Sequence, residues 1–320
     1  MRKIVILDGY TINPGDLSWD GLKEWGEVAI YDRTPPELVR ERIAGASLIL
    51  TSKVLLDADV MDACPELEYI GVLATGYNNI DLEAAAKRGI VVTNVPAYST
   101  PSVAQYVFAL LLEVCHHVGH HSQEVRKSRW SSCEDFSFWD YPLIELSGKT
   151  LGIIGFGRIG QSVAAIASAM GMNVIFHARR PIETAGAEQV RLDELFARSD
   201  VITLHTPLTE QTENLICRET IQKMKDGVIV INTARGPIVS EADMAEALNS
   251  EKINYYAADV VNVEPIRKDN PLLKAKNCLI TPHIAWAPKE ARERLIRIVV
   301  ENAAAYVQGR PIHVVNGTAR

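Results

Sequence analysis

No run of this chain is apolar for long enough to cross a bilayer. The longest, near residues 107–112, falls far short of the ~20 residues a span requires. The start, Met1-Arg-Lys-Ile-Val-Ile-Leu-Asp8, has the pattern of a strand rather than of a secretory leader. A Cys-x-x-Cys pair is also missing. Cys64, Cys115, Cys133, Cys217 and Cys278 are scattered and odd in number, which suits buried thiols in a reducing compartment. Lysine and arginine form no cluster, and the formal net charge is −7, so no nucleic-acid or membrane surface is expected and any anionic ligand must be held locally. Low-complexity segments and short-period repeats are absent too. These exclusions leave a cytoplasmic globular protein of 320 residues, 47% hydrophobic and 23% charged, long enough for about two domains.

The most informative feature stands near the middle. Thr150-Leu-Gly-Ile-Ile-Gly155-Phe-Gly157-Arg-Ile-Gly160 is an apolar strand running into three spaced glycines and then a helix. The first glycine makes a tight turn and the second lets backbone approach a pyrophosphate, while the third packs helix on strand. The first helical N–H groups, around Arg158 and Ile159, face the anion. Ile159, Val163, Ile166, Ala167 and Met170 then recur at helical spacing, Gly171 closes the helix, and Asn173-Val-Ile-Phe-His177 supplies the next strand. The unit is a complete βαβ with a dinucleotide site.

A domain's length of chain precedes it. Strands are predicted at 4–7, 28–31, 48–51, 69–73 and 90–93, with helices near 36–44, 59–63 and 82–87; this alternation implies a parallel sheet with crossover helices. Pro96 and Pro101 bracket a turn-prone hinge before a long helix from Ser102. After residue 151 the alternation resumes, with strands near 174–177, 201–204, 228–231, 256–260 and 278–280, six in all with the first. Pro282 and Pro288 flank a second crossing, and a helix over about 291–307 returns to the first domain. The expected fold is therefore α/β with two doubly wound, Rossmann-like parallel sheets. Residues 1–98 and 288–320 would form a discontinuous substrate domain and residues 99–287 the dinucleotide-binding domain.

An NAD site normally places an acid at the end of the second strand, on the ribose hydroxyls. Here that position reads Ala178-Arg179-Arg180. Two guanidinium groups can instead reach a 2′-phosphate, which favours NADP over NAD, although a solvated basic turn has the same appearance.

Three further residues follow strands: Arg235 in Asn232-Thr-Ala-Arg235-Gly, Glu264 in Asp259-Val-Val-Asn-Val-Glu264-Pro, and His283 in Thr281-Pro-His283-Ile. Singly, each has an ordinary structural explanation. Together with the glycine motif, their order resembles the D-isomer-specific 2-hydroxyacid dehydrogenases along essentially the whole chain. The glycerate dehydrogenase and hydroxypyruvate reductase branch is the most similar, through Val72-Leu-Ala-Thr-Gly-Tyr-Asn-Asn-Ile-Asp81, Asn94-Val-Pro-Ala-Tyr-Ser-Thr-Pro-Ser-Val-Ala-Gln105 and His283-Ile-Ala-Trp-Ala287. The resemblance implies that Arg235 holds the substrate's carboxylate and carbonyl, that His283 is the acid/base, and that Glu264 orients it. It also implies that Asp259 and Ala285 meet the nicotinamide end, that Thr233 and Ala234 meet its ribose, and that His205, Thr206, Pro207 and Thr212 line the adenosine and pyrophosphate side.

Chemistry supports these roles independently. Reducing a 2-keto acid requires a hydride donor, a cation for the carboxylate and a proton donor at the carbonyl oxygen. A carboxylate beside an imidazole favours its charged form. Backbone N–H groups of the Ala74-Thr75-Gly76 turn would complete the carboxylate site, and closure of the two halves would expel water.

His116, His117, His120 and His121 have helical pair spacing, yet no carboxylate stands between them to serve as a base, so no metal is expected. Phe136, Phe138, Trp139 and Tyr141 form an irregular aromatic segment suited to a homodimer contact, a pocket wall or packing between domains. The helix over 103–113, apolar beyond one face, suits either a dimer or complete burial. Two functional readings follow: a reductase of hydroxypyruvate or glyoxylate, or of another 2-keto acid, and a dinucleotide-sensing corepressor-like binding protein on the same fold. Corepressors of that kind carry terminal extensions, and many phosphoglycerate dehydrogenases an appended regulatory domain; neither is expected within this length.

Overall fold

The computed structural model describes residues 2–317. The chain divides into two compact units, one built from the segments up to Ser99 and from Ala287 onward, the other from Thr100–Trp286.

In the first unit β1 (Lys3–Ile6), β2 (Glu27–Ile30), β3 (Leu48–Thr51), β4 (Tyr69–Val72) and β5 (Val91–Thr93) form one sheet in the order β2-β1-β3-β4-β5. Every pairing is parallel. Helices α1 (Val39–Ile43), α2 (Ala58–Asp62) and α3 (Leu82–Lys87) make the crossovers. Asp57 and Asp81 start the last two by accepting the N–H of Val60 and Ala84, as capping aspartates do. Strands β1, β3 and β4 are almost wholly buried because helices cover both faces of a parallel sheet.

The second unit opens with α4 (Thr100–His116) and α5 (Val118–Arg126), and its sheet comprises β6 (Thr150–Ile154), β7 (Asn173–His177), β8 (Glu188–Gln189), β9 (Val201–Leu204), β10 (Val228–Asn232), β11 (Ile253–Ala258) and β12 (Cys278–Ile280). The order is β12-β11-β10-β9-β6-β7-β8, all parallel. One strand exceeds the six predicted: β8 is a two-residue edge strand too short for alternation to reveal. Helices α6 (Arg158–Ala169), α7 (Leu192–Arg198), α8 (Arg218–Gln222) and α9 (Glu241–Asn249) cover the faces. Strand succession runs one way from β6 through β7 to β8 and the other way from β9 to β12, so the switch point at which open sheets bind ligands lies between β6 and β9.

The last helix, α10 (Lys289–Val307), belongs to the first unit. Pro288 stands at its N-cap, and its carbonyl accepts the N–H groups of Ala291 and Arg292. Asn302 donates to the Asn94 carbonyl at 2.9 Å, and Tyr306 packs its ring 4.8 Å from that of Tyr69. Arg292 is nearly buried and forks onto Asp16 through two 2.7 Å bonds, a pairing no local pattern announces.

Val107, Phe108, Leu110, Leu111, Val114 and Cys115 of α4 join one core with α6 and the sheet, as the burial alternative for that helix has it. Two other expectations are corrected. The histidine cluster does not share one helical face, because His117 has φ +47° and breaks the chain into α4 and α5. Among the described residues no group of His, Cys, Asp and Glu is arranged to hold a metal. Of the five free cysteines only Cys64 and Cys115 are buried; Cys133 sits in an irregular loop, Cys217 at a helix cap and Cys278 on an edge strand, where cover is incomplete. Among those same residues no helix is long and apolar enough to cross a membrane.

Candidate active site

The glycine loop leaves β6 at the switch point. Gly155 has φ +95°, and a Cβ there would lie 2.5 Å from the carbonyl oxygen of His205 at the end of β9, so only glycine fits. A Cβ on Gly160 would meet the Gly155 oxygen at 2.3 Å, which is how the third glycine draws α6 onto its strand. Gly157 differs from both. Nothing lies within 4 Å of its Cβ position, and as N-cap of a twelve-residue helix it gives no side-chain bond to the first N–H groups. An open backbone face beside unpaired helix N–H groups fits a dinucleotide pyrophosphate. Arg158 is exposed and Ile159 half-buried in the first turn.

His205 and Thr233 directly follow the adjacent strands β9 and β10. Both carry a buried polar atom without a partner, Nδ1 of the histidine and Oγ1 of the threonine. The other ring nitrogen of His205 lies 2.9 Å from Thr203 Oγ1, and desolvation pushes the imidazole down to about 3. Thr206 and Pro207 follow directly. Thr212 has its hydroxyl engaged locally, donating to the Pro207 carbonyl at 2.7 Å and accepting the Thr209 N–H at 2.8 Å, so it shapes the turn. Arg179 and Arg180 leave β7 exposed, and among the described residues neither guanidinium has a hydrogen-bond or ion-pair partner.

Sheet order assembles the remaining residues, since β10, β11 and β12 are consecutive neighbours. Asn232, fully buried, builds the turn after β10. Its oxygen accepts the Ala234 N–H at 2.9 Å and its amide donates to the Arg235 carbonyl at 2.9 Å, so the Arg235 side chain is left exposed. Gly236 then presses on the next loop: a Cβ would lie 2.0 Å from the Val261 carbonyl carbon. The loop of Arg235 is thereby packed against the loop that carries Glu264.

His283 has φ +56°, a left-handed conformation that a non-glycine residue holds only when its surroundings impose it. Asp259 imposes it here. Its buried carboxylate accepts the Thr281 hydroxyl at 2.7 Å and the N–H groups of Ile284 at 2.9 Å and Ala285 at 2.8 Å. Ser102 on α4 donates to the Ala285 carbonyl at 2.6 Å. The imidazole consequently meets Glu264, with Nδ1 at 2.7 Å from Oε2 and both side chains about one-third exposed (29% and 34%). Asp259 and Ala285, the residues that the resemblance assigns to the nicotinamide end, thus also hold the histidine segment in place.

Residues 108–285 match the model of the D-isomer-specific 2-hydroxyacid dehydrogenase NAD-binding domain. The chain belongs to the D-isomer-specific 2-hydroxyacid dehydrogenases. It is 52% identical to a hydroxypyruvate reductase of Blautia hydrogenotrophica over 98% of this chain and 99% of that one. It is 38% identical to a glycerate dehydrogenase of Methylorubrum extorquens over the same shares of the two chains, 98% and 99%. A solved NADPH-dependent glyoxylate/hydroxypyruvate reductase of Sinorhizobium meliloti, in complex with NADP and malonate, superposes with a TM-score of 0.84 at 29% identity, covering 99% of this chain and 97% of that one.

In the first unit the Ala74-Thr75-Gly76 turn has its carbonyls occupied, Ala74 by the Val95 N–H and Thr75 by the Asn94 side chain, while the Thr75 hydroxyl donates to the Val95 carbonyl. Among the described residues no hydrogen bond engages the N–H of Thr75 or Gly76. Sequence reasoning missed Asn232, Thr281 and Ser102 as supports of the site. Asn232 alone left a signal, being the first residue of the Asn-Thr-Ala-Arg segment.

Proposed function

We propose that this dehydrogenase reduces hydroxypyruvate and glyoxylate to D-glycerate and glycolate with NADPH as hydride donor. The observation that carries the reading is the 2.7 Å His283–Glu264 contact at the carboxyl edge of the strand next to the one that carries Arg235. When bound, the reduced nicotinamide supplies hydride to the substrate's carbonyl carbon. Arg235 binds the carboxylate, and in the first unit the unengaged N–H groups of the Ala74-Thr75-Gly76 turn suit an anion of that kind. With Nδ1 held by Glu264, the Nε2 proton of His283 is the one left for the carbonyl oxygen, and microscopic reversal makes Nε2 the base for alcohol oxidation. The names of the relatives support the substrate class. Arg179 and Arg180, free and in place of the acid that would hold ribose hydroxyls, support NADPH over NADH.

A homodimer is part of the same reading. The segment after α5 exposes four large apolar side chains, Trp130 (52%), Phe136 (91%), Trp139 (64%) and Leu143 (52%), as interaction surfaces do. Ion pairs of Asp140 with Arg129 and His120 hold its conformation, and Arg129 lies 4.2 Å over the Phe138 ring. A second copy of the chain is the partner such a self-supported arm suits.

Initial rates with a panel of 2-keto acids, each with NADPH and NADH, test the reading. Highest kcat/KM is expected for hydroxypyruvate with NADPH, and His283→Ala should lose several orders of magnitude in kcat while its NADPH Kd stays unchanged. Equal or better use of NADH would overturn the cofactor assignment. Cofactor binding without turnover of any 2-keto acid would favour a corepressor-like sensor.

A further inference from the structure

We infer that Gln189 is a positioning residue for cofactor choice: its side-chain amide forms the loop that presents Arg179 and Arg180 to the 2′-phosphate of the dinucleotide. The inference rests on the NADPH reading above and names the residue that would make it work.

The loop between β7 and β8 is anchored at its ends by burial, since Ala178 and Ile182 pack against the core of the unit. Between them lie Arg179, Arg180 and Pro181, all exposed. Gln189 faces this stretch from β8 and gives it three hydrogen bonds through both ends of its side-chain amide. Oε1 accepts the Ile182 N–H at 2.9 Å, and Nε2 donates to the carbonyls of Ala178 at 3.2 Å and Arg180 at 3.0 Å. The loop therefore curls around a single primary amide. A second tie, His177 Nδ1 at 3.2 Å from the Val190 carbonyl, locks the strand ends on which the curl stands.

Charge arrangement gives this curl a purpose. Glu188, the carboxylate beside Gln189, is engaged by Arg198 through both oxygens, so it does not quench the loop arginines. Two guanidinium groups are left uncompensated at the end of β7, in a chain of net charge −7. Long exposed side chains lose much entropy when they clamp an anion, and a backbone already fixed at both Cα atoms reduces that cost. The Arg180 carbonyl, held by Gln189, belongs to one of the two arginines themselves. Ribose hydroxyls present no charge for the guanidiniums to clamp, so NADH affinity should not depend on this device.

The test is direct binding, read by isothermal titration of the unmodified enzyme and of Gln189→Ala with NADPH, NADH and 2′,5′-ADP. Gln189 is exposed on a two-residue edge strand, so the substitution leaves the core intact. The Kd for NADPH and for 2′,5′-ADP should rise on the order of ten-fold while that for NADH holds, collapsing the preference. If the unmodified enzyme prefers NADPH and Gln189→Ala keeps that preference, the inference on Gln189 is overturned and the arginine reading stands. If both cofactors weaken together, Gln189 is a structural residue only, which also overturns it. If the unmodified enzyme binds NADH as tightly as NADPH, and Arg179→Ala with Arg180→Ala changes neither, the underlying cofactor reading fails first.

Discussion

Replacing Gly157 with alanine should separate folding from binding at a single methyl group. Its backbone, φ −78° and ψ −164°, is open to any L residue, and no heavy atom lies within 4 Å of the added Cβ. Alanine narrows the unfolded ensemble, which stabilises by about 0.4–1 kcal/mol. It is also a poorer N-cap than glycine, which costs about the same. The two effects oppose each other, so Tm should move by no more than about 3 °C. Binding has no such compensation. The methyl group occupies the open face through which a pyrophosphate would reach the first N–H groups of α6, and losing one charge-assisted hydrogen bond costs about 1.5–3 kcal/mol, equivalent to a roughly 10- to 100-fold rise in Kd. Tryptophan fluorescence titrated with NADPH reads the Kd, and differential scanning fluorimetry reads Tm. An unchanged Kd would refute the placement of the pyrophosphate, and a large fall in Tm would refute the claim that the space is free.

Gly236→Ala should behave in the opposite way, because its Cβ would meet Val261 backbone at 2.0 Å. Relief requires a shift of about 1 Å or more between the Arg235 and Glu264 loops, which should cost about 100-fold in kcat/KM and ~1–3 kcal/mol of stability; near-normal kinetics would show that those loops need no fixed spacing. The pH dependence of stability should carry the mark of His205, held at about 3 against an ordinary value of 6.5. As pH falls below 6.5 the unfolded ring takes a proton that the folded ring refuses, so stability is lost progressively toward pH 3, about 2 kcal/mol of it by pH 5. Urea unfolding at pH 7 and pH 5 should show that loss shrinking in His205→Gln, and an identical loss in the variant would remove His205 as its source. Light scattering should find a dimer that Phe136→Ser with Trp139→Ser converts to monomer; a dimer persisting in the double variant would place the interface elsewhere.

The two parallel sheets were legible because buried strands read as short apolar runs and crossover helices as periodic ones. Strands 48–51, 201–204 and 278–280 fall where the apolar runs place them. The glycine cradle was equally legible, since at Gly155 and Gly160 a steric requirement for hydrogen in place of a side chain leaves no choice of residue. Strand β8 and the break at His117 were not. Two residues carry no periodicity, and a left-handed histidine is imposed by its surroundings rather than by its own preference.

The order of motifs along the chain already determined the family and the chemical types assembled at the site, because an imidazole, a carboxylate and a guanidinium can each do only a few things. Tertiary structure alone decided how they are held. Asp259, Thr281, Ser102, Asn232 and Gln189 act by donating to or accepting from backbone distant in sequence or turned in space, and a hydrogen bond of that kind depends on which strands become neighbours. Sheet order sets those neighbours, and only the burial of the whole core selects the order.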